Sequence, residues 1–511
     1  MIQSNPSTPC FHQFGQDQAC AGMPGKAAGP APDSAVPEPE EDFHFLHYLA
    51  RHARKRPHKT ALRCANGTGG TDQFEEWTFA QLHARVLAWF AVMQERARPG
   101  ERVLLLLPSG EEFITSFLAC LHAGLIAVPA YPPRRNRNRE RVLSIHDNAA
   151  PALILTTTSF APQVREALPD SQAMVLSVDG ALPPPGGQNQ WILPRHNSGH
   201  IAFLQYTSGS TGAPKGTIIT HANLLANLAA LQGLFQHEPE HEIVTWLPPF
   251  HDAGLMNLLV PLFSGMTVTM LPPEEFLRSP IRWLQVISSR SAYVCAGAPN
   301  FAYQLLAERV TEDEIGLLDL SRWRVAFNGA EPVQSGTLKQ FAQRFAVCGF
   351  RAGAWVPCYG LAENTLLAAG RRSSGILAGQ CGSGILRASR TALETGIFEP
   401  AMDDDGNAPL LVSCGPPLLN THITIHSPET GVLLTEDHIG EIQLHSPSVA
   451  AGYWRNKAAT AAAFPIPGTL RTGDLGFLHK GEIYLTGRVK DLIIIRGRKL
   501  HPQDIETCLA A

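Results

Sequence analysis

Short apolar runs return along this chain at intervals that leave room for helices between them: RVLLLLP, LIAVPAYP, ALILTT, HIAFLQYTS, EIVTWLPP and WRVAFNGAE. Strands that are apolar along their whole length, instead of at alternate positions, need cover on both faces, and the intervening stretches of helical periodicity supply it. That alternation commits the chain to α/β layers in which helices cover largely parallel strands. With 511 residues and about 150 residues per domain as the ordinary expectation, several lobes around an extended core follow.

Order is expected to begin near Phe43, where the amphipathic run FLHYLARHARKRP leads into an extended pair, TALRC and EEWTF, and then a helix, AQLHARVLAWFAVMQERA. Residues 1–40 carry Pro, Gly, Ala and acidic side chains without periodicity, a composition that cannot offset its ordering entropy by burial and reads as a flexible leader. Past about residue 408 the pattern changes to short strands and turns, PLLVSCGPP, THITIHSPETG, GEIQLHSPS and GEIYLTGR, a β-rich subdomain closing the large lobe. The uncharged stretch from Ala253 to Pro273 raises the question of a membrane span. Asn257, Pro261 and Gly265 divide it into a short helix and the β-branched strand MTVTML, which places it in buried α/β core.

A net charge of −4 supplies no global positive field, so nucleic acid is excluded as a partner. Ten cysteines without a CxxC pair indicate reduced thiols and a cytoplasmic location. The opening MIQSNPSTPCFHQFGQ has neither the basic nor the apolar region of a secretion signal. One local exception to the weak charge is PPRRNRNRER, with Arg134, Arg135, Arg137, Arg139 and Arg141. Its simple reading is a solvated helix start after a Pro-Pro turn; its sharper one is a dock for phosphate or an acidic carrier protein.

After the strand IAFLQY stand Thr207, Ser208, Gly209, Ser210, Thr211, Gly212, Ala213, Pro214, Lys215 and Gly216. Such a loop suits polyphosphate: glycines let backbone N–H groups approach oxyanions, hydroxyls add donors and Lys215 adds a charge. It is not a Walker loop, because no lysine follows Gly212 directly.

This string resembles the phosphate-binding signature of the adenylate-forming superfamily, which includes acyl-CoA ligases, peptide-synthetase adenylation domains, luciferases and fatty acyl-AMP ligases. TWLPPFHDAGL, NGAEPV, YGLAENTL, RTGDLGF and GRVKDLIIIRGRKLHPQDIE follow in the family's order, and five ordered matches make coincidence negligible. The resemblance implies that Tyr359, with Gly360, offers adenine a flat face, and that Asn328, Gly329, Ala330 and Glu331 border the base. By the same resemblance Glu363 is the Mg²⁺ ligand, hard oxygen beside phosphates being what that ion prefers. Asp474 has two acceptor oxygens for the ribose hydroxyls, Arg488 reaches the ribose and phosphate region, and Asp491 is the hinge of a small C-terminal domain. His251, followed by Asp252, stands where the family places a gate between nucleotide and acyl pocket. His251, Glu363 and Lys215 are the candidate catalytic residues.

Two features resemble fatty acyl-AMP ligases in particular: AYPPRRNR at 130–137, and the extra stretch within 371–410 that includes ILRASRTALETG. The latter is similar to that family's insertion, thought to hinder the domain swing used for CoA thioesterification. What the resemblance implies is an α/β fold: an adenylate-forming N-terminal domain over 41–488, with two helix-covered β-sheet subdomains and a β-barrel-like one at 408–488. Residues 489–511 would be the hinge and start of a C-terminal domain that is largely absent, together with its catalytic lysine, so weak adenylation is expected. The expected reaction joins a fatty acid and MgATP into acyl-AMP and pyrophosphate, with an acyl carrier protein receiving the acyl group. A long-chain fatty acyl-CoA ligase is the alternative, followed by an amino-acid adenylation domain or a non-catalytic nucleotide or lipid binder.

Overall fold

Two largely parallel sheets carry the α/β part of the chain. The computed structural model describes residues 44–65, 73–133, 138–180, 197–207, 214–371, 384–402, 408–491, 493–495 and 498–500. The leader, Arg134, Arg135, Arg137 and the loop residues Ser208, Gly209, Ser210, Thr211 and Gly212 lie outside the described residues.

The larger sheet has eight strands, in the spatial order Leu367–Gly370, Trp355–Gly360, Trp323–Asn328, Val294–Ala298, Glu242–Thr245, Thr267–Met270, Thr60–Ala65 and Phe74–Thr78. Its interior pairs are parallel, and only the outermost pair at each edge is antiparallel. The second sheet orders six strands as Met174–Ser177, Leu153–Thr156, Arg102–Leu105, Ile126–Pro129, Ile201–Thr207 and Lys215–Thr220, parallel except for the last pair. Strands Leu153–Thr156, Glu242–Thr245, Thr267–Met270 and Val294–Ala298 are buried at every position, as uniformly apolar runs require. The main core joins the sheets: Val103 and Leu105 of one and Ile243 and Val268 of the other share a cluster with Val86, Phe117, Leu228 and Leu259 from four helices.

Helix Asp252–Ser264 is one of the four, and it is longer than the sequence suggests. Neither Asn257 nor Pro261 breaks it; the divider is Gly265, at φ +74°. Every residue from Gly254 to Ser264 is buried, so packing around the helix outweighs the hydrogen bond that Pro261 cannot donate. No described helix is long and apolar enough to cross a membrane.

The β-rich part is an antiparallel sheet with strands His422–His426, Gly440–His445, Thr469–His479 and Glu482–Arg488 in sequence order. Ile423, Ile425, Ile442 and Leu444 fill its inner side. Beside it, strands Ile385–Arg387 and Leu410–Val412 form a pair, and helix Arg390–Thr395 lies in the connection between them. That connection is pinned where Phe398 stacks on Phe477 at 5.0 Å and 10°. Residues 450–454 then cross from the antiparallel sheet to the edge of the six-stranded one. Ile218 N–H donates to Gly452 O at 2.9 Å, Ala451 N–H to Ile218 O at 3.0 Å and Trp454 N–H to Gly216 O at 2.7 Å.

Candidate active site

Strands Ile201–Thr207 and Lys215–Thr220 pair antiparallel, with Thr207 opposite Lys215. Both residues that flank the glycine-rich loop are therefore fixed by a sheet edge. Gly216 is needed there, because a Cβ would lie 2.8 Å from the Tyr206 ring. The Lys215 ammonium sits over the Tyr453 ring, 5.0 Å from its centroid, a distance at which the ring quadrupole attracts a cation.

Tyr453 also reaches Glu363, its hydroxyl donating to Glu363 Oε1 at 2.8 Å. Glu363 stands on the short 3₁₀ turn Ala362–Asn364, between the last two strands of the eight-stranded sheet. The turn ends in strain: Thr365 has φ +63° and ψ −55°, and Leu366 N–H donates to Asn364 O at 2.7 Å. A β-branched residue in such a γ-turn costs about 1–3 kcal/mol, and it persists only where the surroundings hold it. They do so here. Thr365 Oγ1 donates to Ser448 O at 2.8 Å, and Ala450 N–H donates to Glu363 O at 2.8 Å. Burial raises the Glu363 carboxyl above its ordinary range, the Tyr453 bond opposes the rise, and the charges of Asp252 and Asp474 add to it.

Asp474 is the next acid, close enough for its charge to act on Glu363. Tyr359 Oη donates to Asp474 Oδ2 at 2.8 Å and Arg488 Nε to Oδ1 at 3.1 Å. Each carboxylate oxygen keeps a second acceptor site, so two further hydroxyls can still donate to it. Burial again pushes the carboxyl up, against the pull of Tyr359 and Arg488. Tyr359 itself is only 4% exposed, so its hydroxyl is better defined in its task than its ring face. Gly360 is obligatory, since a Cβ would fall 2.0 Å from Leu366 O.

Below Tyr359, Asn328 is fully buried. Its amide donates to Asn300 Oδ1 at 3.2 Å. Ala330 adopts φ +67°, which turns the backbone after Gly329. Glu331 is directed elsewhere: its Oε1 accepts from Phe301 N–H at 2.6 Å, capping the start of helix Asn300–Arg309.

On the remaining wall, His251 precedes helix Asp252–Ser264. Its ring is solvent-accessible, yet desolvation lowers its pKa, with the Arg141 charge adding to the effect. Tyr131 packs beside it, its ring 3.6 Å from Phe250 and 5.7 Å edge-on from His251. Gln205 Nε2 donates to Phe250 O at 2.8 Å, tying this wall to the strand that ends at Thr207. Asp252 is raised by desolvation too, though it accepts from Ala253 N–H at 2.7 Å.

Known proteins share this fold. The family of AMP-binding enzymes matches residues 49–454. The chain belongs to that family. Membership makes it an AMP-forming ligase that uses ATP. This AMP-binding enzyme is 37% identical over 457 residues to the medium-chain-fatty-acid (acyl-carrier-protein) ligase JamA of Moorena producens, covering 86% of this chain and 75% of the relative. A solved structure from work on fatty acyl-adenylate ligases of E. coli and L. pneumophila superposes with a TM-score of 0.82 at 33% identity, covering 93% of this chain and 84% of that one. The L. pneumophila fatty acyl-adenylate ligase in complex with acyl adenylate and pyrophosphate gives 0.79 at 38% identity, covering 91% and 81%.

Within this AMP-binding enzyme, Lys215, Glu363 and Asp474 come together: Tyr453 links the first two, and electrostatic coupling links the second to the third. Tyr359 and Arg488 join them through Asp474. Thr207 flanks the loop, and Asp491 is near enough to raise Asp474 further. Glu331 points to a helix start, as described above. Two contributors were not among the residues singled out from sequence. Tyr453 lies in AGYW and Tyr131 in the AYPPRRNR string. An aromatic beside a required glycine was the available signal for Tyr453: Gly452 has φ +131°, and a Cβ there would meet Thr460 at 2.5 Å.

Proposed function

We propose that this chain activates a fatty acid as its acyl-AMP and passes the acyl group to the phosphopantetheine thiol of an acyl carrier protein. The observation that supports the reading is the chain of contacts from Lys215 through Tyr453 to Glu363, with Asp252 and Asp474 close enough for their charges to act on Glu363; Tyr131 packs on Phe250 and His251, which immediately precede Asp252. In the reaction a carboxylate oxygen forms a bond to the α-phosphorus of ATP, the bond from that phosphorus to the bridging oxygen breaks, and pyrophosphate leaves. Such a displacement needs alignment and neutralisation of charge more than a protein nucleophile.

Each assigned residue has a task suited to its chemistry. Thr207, Lys215 and the loop between them take the phosphates, with Lys215 supplying the charge. Asp474 accepts from the ribose hydroxyls, Arg488 lies over the sugar and phosphate, and Asn328, Gly329, Ala330 and Tyr359 border the base. His251 stands between nucleotide and acyl chain, and Asp491 is the pivot of the following segment.

Mg²⁺ fits the donors present. Tyr453 occupies one oxygen of Glu363 and leaves the other for a hard cation, while Asp252 and Asp474 add negative potential. No cluster of three or more ligating side chains exists among the described residues, and an ion that takes most of its ligands from phosphates and water does not need one. Glu363 would hold the ion, which would supply positive charge to offset that of the phosphates.

Helix Arg390–Thr395 lies against strand Arg498–Leu500, so the extra stretch is in contact with chain beyond Asp491. This supports reading it as a restraint on the movement that CoA thioesterification requires. The test is a pair of assays. Pyrophosphate exchange into ATP should depend on medium- or long-chain fatty acid, and acyl transfer should proceed to a phosphopantetheinylated carrier protein far faster than to CoA. Equal or faster CoA thioester formation would replace this reading with an acyl-CoA ligase. Exchange that depends on an amino acid instead would replace it with an amino-acid adenylation domain.

A further inference from the structure

Tyr453 is the only side chain among the described residues that contacts both Lys215 and Glu363 in the bonds above. It comes from neither of their elements. Its segment crosses from the antiparallel sheet, and its own mobility is restricted from three sides. Its N–H donates to Thr460 Oγ1 at 3.0 Å, its ring meets Phe464 edge-on at 5.3 Å, and its backbone bridges to Thr217. Tyr453 is 8% exposed. A tyrosine kept only for packing would direct its hydroxyl to water or to a backbone carbonyl; this one directs it to a carboxylate.

We propose, resting on the function given above, that Tyr453 is a positioning residue holding the phosphate-loop lysine and the metal-binding carboxylate in one frame. The ring seats the Lys215 ammonium, and the hydroxyl turns Glu363 so that its second oxygen faces the cation. The two tasks reside in different atoms of one side chain. Without the hydroxyl, Glu363 is free to rotate among rotamers that face away from the phosphates, and metal affinity falls. Without the ring, Lys215 loses its platform, and metal-free nucleotide binding falls as well.

The experiment compares the full chain with Tyr453→Phe, Tyr453→Leu and Glu363→Gln. Binding of a non-hydrolysable ATP analogue is measured without metal, and Mn²⁺ binding to the resulting complex is read by electron paramagnetic resonance. Tyr453→Phe keeps the ring, so its metal-free analogue affinity should equal that of the starting protein, which also reports an intact fold. Its Mn²⁺ affinity should fall about tenfold, the usual scale for losing a hydrogen bond to a charged group. Tyr453→Leu should lose metal-free analogue affinity in addition, by about threefold or more. In steady-state exchange, the Mg²⁺ concentration for half-maximal rate should rise in Tyr453→Phe while the rate at saturating Mg²⁺ stays within about twofold. Wild-type Mn²⁺ affinity in Tyr453→Phe, alongside its loss in Glu363→Gln, overturns the proposal and leaves the functional reading standing. Unchanged Mn²⁺ affinity in Glu363→Gln overturns the metal role of Glu363 and the proposal with it.

Discussion

Asp474 shows how much one carboxylate is asked to do. It is largely buried, burial raises its pKa, and among the described residues Tyr359 and Arg488 offset that cost directly. The Arg488 side chain is 65% exposed, so solvent screens its charge and the pair adds little to stability. The Tyr359 hydroxyl is the steadier partner, at 2.8 Å from a buried ring. Replacing Tyr359 with Phe should therefore leave the fold intact and free Asp474 to rotate. The expected result is a KM for ATP raised about fivefold, with kcat changed less, since a hydrogen bond of this kind is worth about 1 kcal/mol or somewhat more. Steady-state kinetics at saturating acid tests it; an unchanged KM would mean that Arg488 alone orients Asp474. At this scale the sequence singles out residues whose type announces a chemistry. Asp474 in TGDLGF, Glu363 in YGLAENT and Lys215 beside a glycine-rich loop are charges in settings that suit a nucleotide. Tyr453 was invisible because tyrosine is so often core, and because its partner Glu363 is 90 positions away. Its role exists only in three dimensions.

The elements that carry these residues were legible to the extent that burial writes a pattern. Uniformly apolar runs marked the parallel strands, and the shift to short strands past residue 408 marked the antiparallel sheet. What periodicity could not reveal was helix Asp252–Ser264 continuing through Pro261, because that depends on packing from all sides. It also could not reveal that residues 450–454 form a strap. Those residues are a loop by composition, and their hydrogen-bond partners belong to a different sheet. The stretch within 371–410 is a further case. Its helix Arg390–Thr395 starts at a Ser389 cap and stops at Gly396, φ +88°, local signals that say nothing of where it docks. Docking rests on Phe398, 5% exposed, stacked on Phe477. Its neighbours are held by backbone bonds from Ser389 N–H to Glu399 O at 2.8 Å and from Phe398 N–H to Asp437 O at 2.7 Å. Phe398→Ala removes a buried aromatic, a change that costs about 3–5 kcal/mol in a well-packed core. That loss should appear locally. The amides of Ser389, Ile397 and Phe398 should exchange with solvent at least tenfold faster, while metal-free ATP affinity stays the same. Unaltered exchange would show that the backbone bonds, and not the aromatic stack, hold this stretch in place.

Taken together, the eight-stranded, six-stranded and antiparallel sheets bring buried acids and a lysine close to one another. Asp252 and Glu363 come from the eight-stranded sheet and its helices, and Asp474 from the antiparallel one; desolvation raises all three. Glu363 is destabilised further by the charges of the other two. Arg488 pairs with Asp474 at 3.1 Å, while Lys215, from the six-stranded sheet, is held on the Tyr453 ring. Acids placed this way keep repulsion that a bound cation would relieve, as functional sites often trade stability for readiness. Ligand binding should then stiffen the junction between sheets more than the interior of any one of them. At a ligand concentration 100 times the Kd, linkage adds about 2.7 kcal/mol to the folded state. The bonds through which that gain passes are those of the strap, from Ile218 to Gly452, from Ala451 to Ile218 and from Trp454 to Gly216. MgATP should slow exchange at the Ile218, Ala451 and Trp454 amides several-fold, and ATP with the metal chelated should slow it less, because Glu363 then keeps its repulsion and Ala450, bonded to Glu363 O, is less firmly held. Protection confined to the strand that carries Asp474, with the strap exchanging as it does without nucleotide, would mean that the base and ribose are bound without drawing the three sheets together.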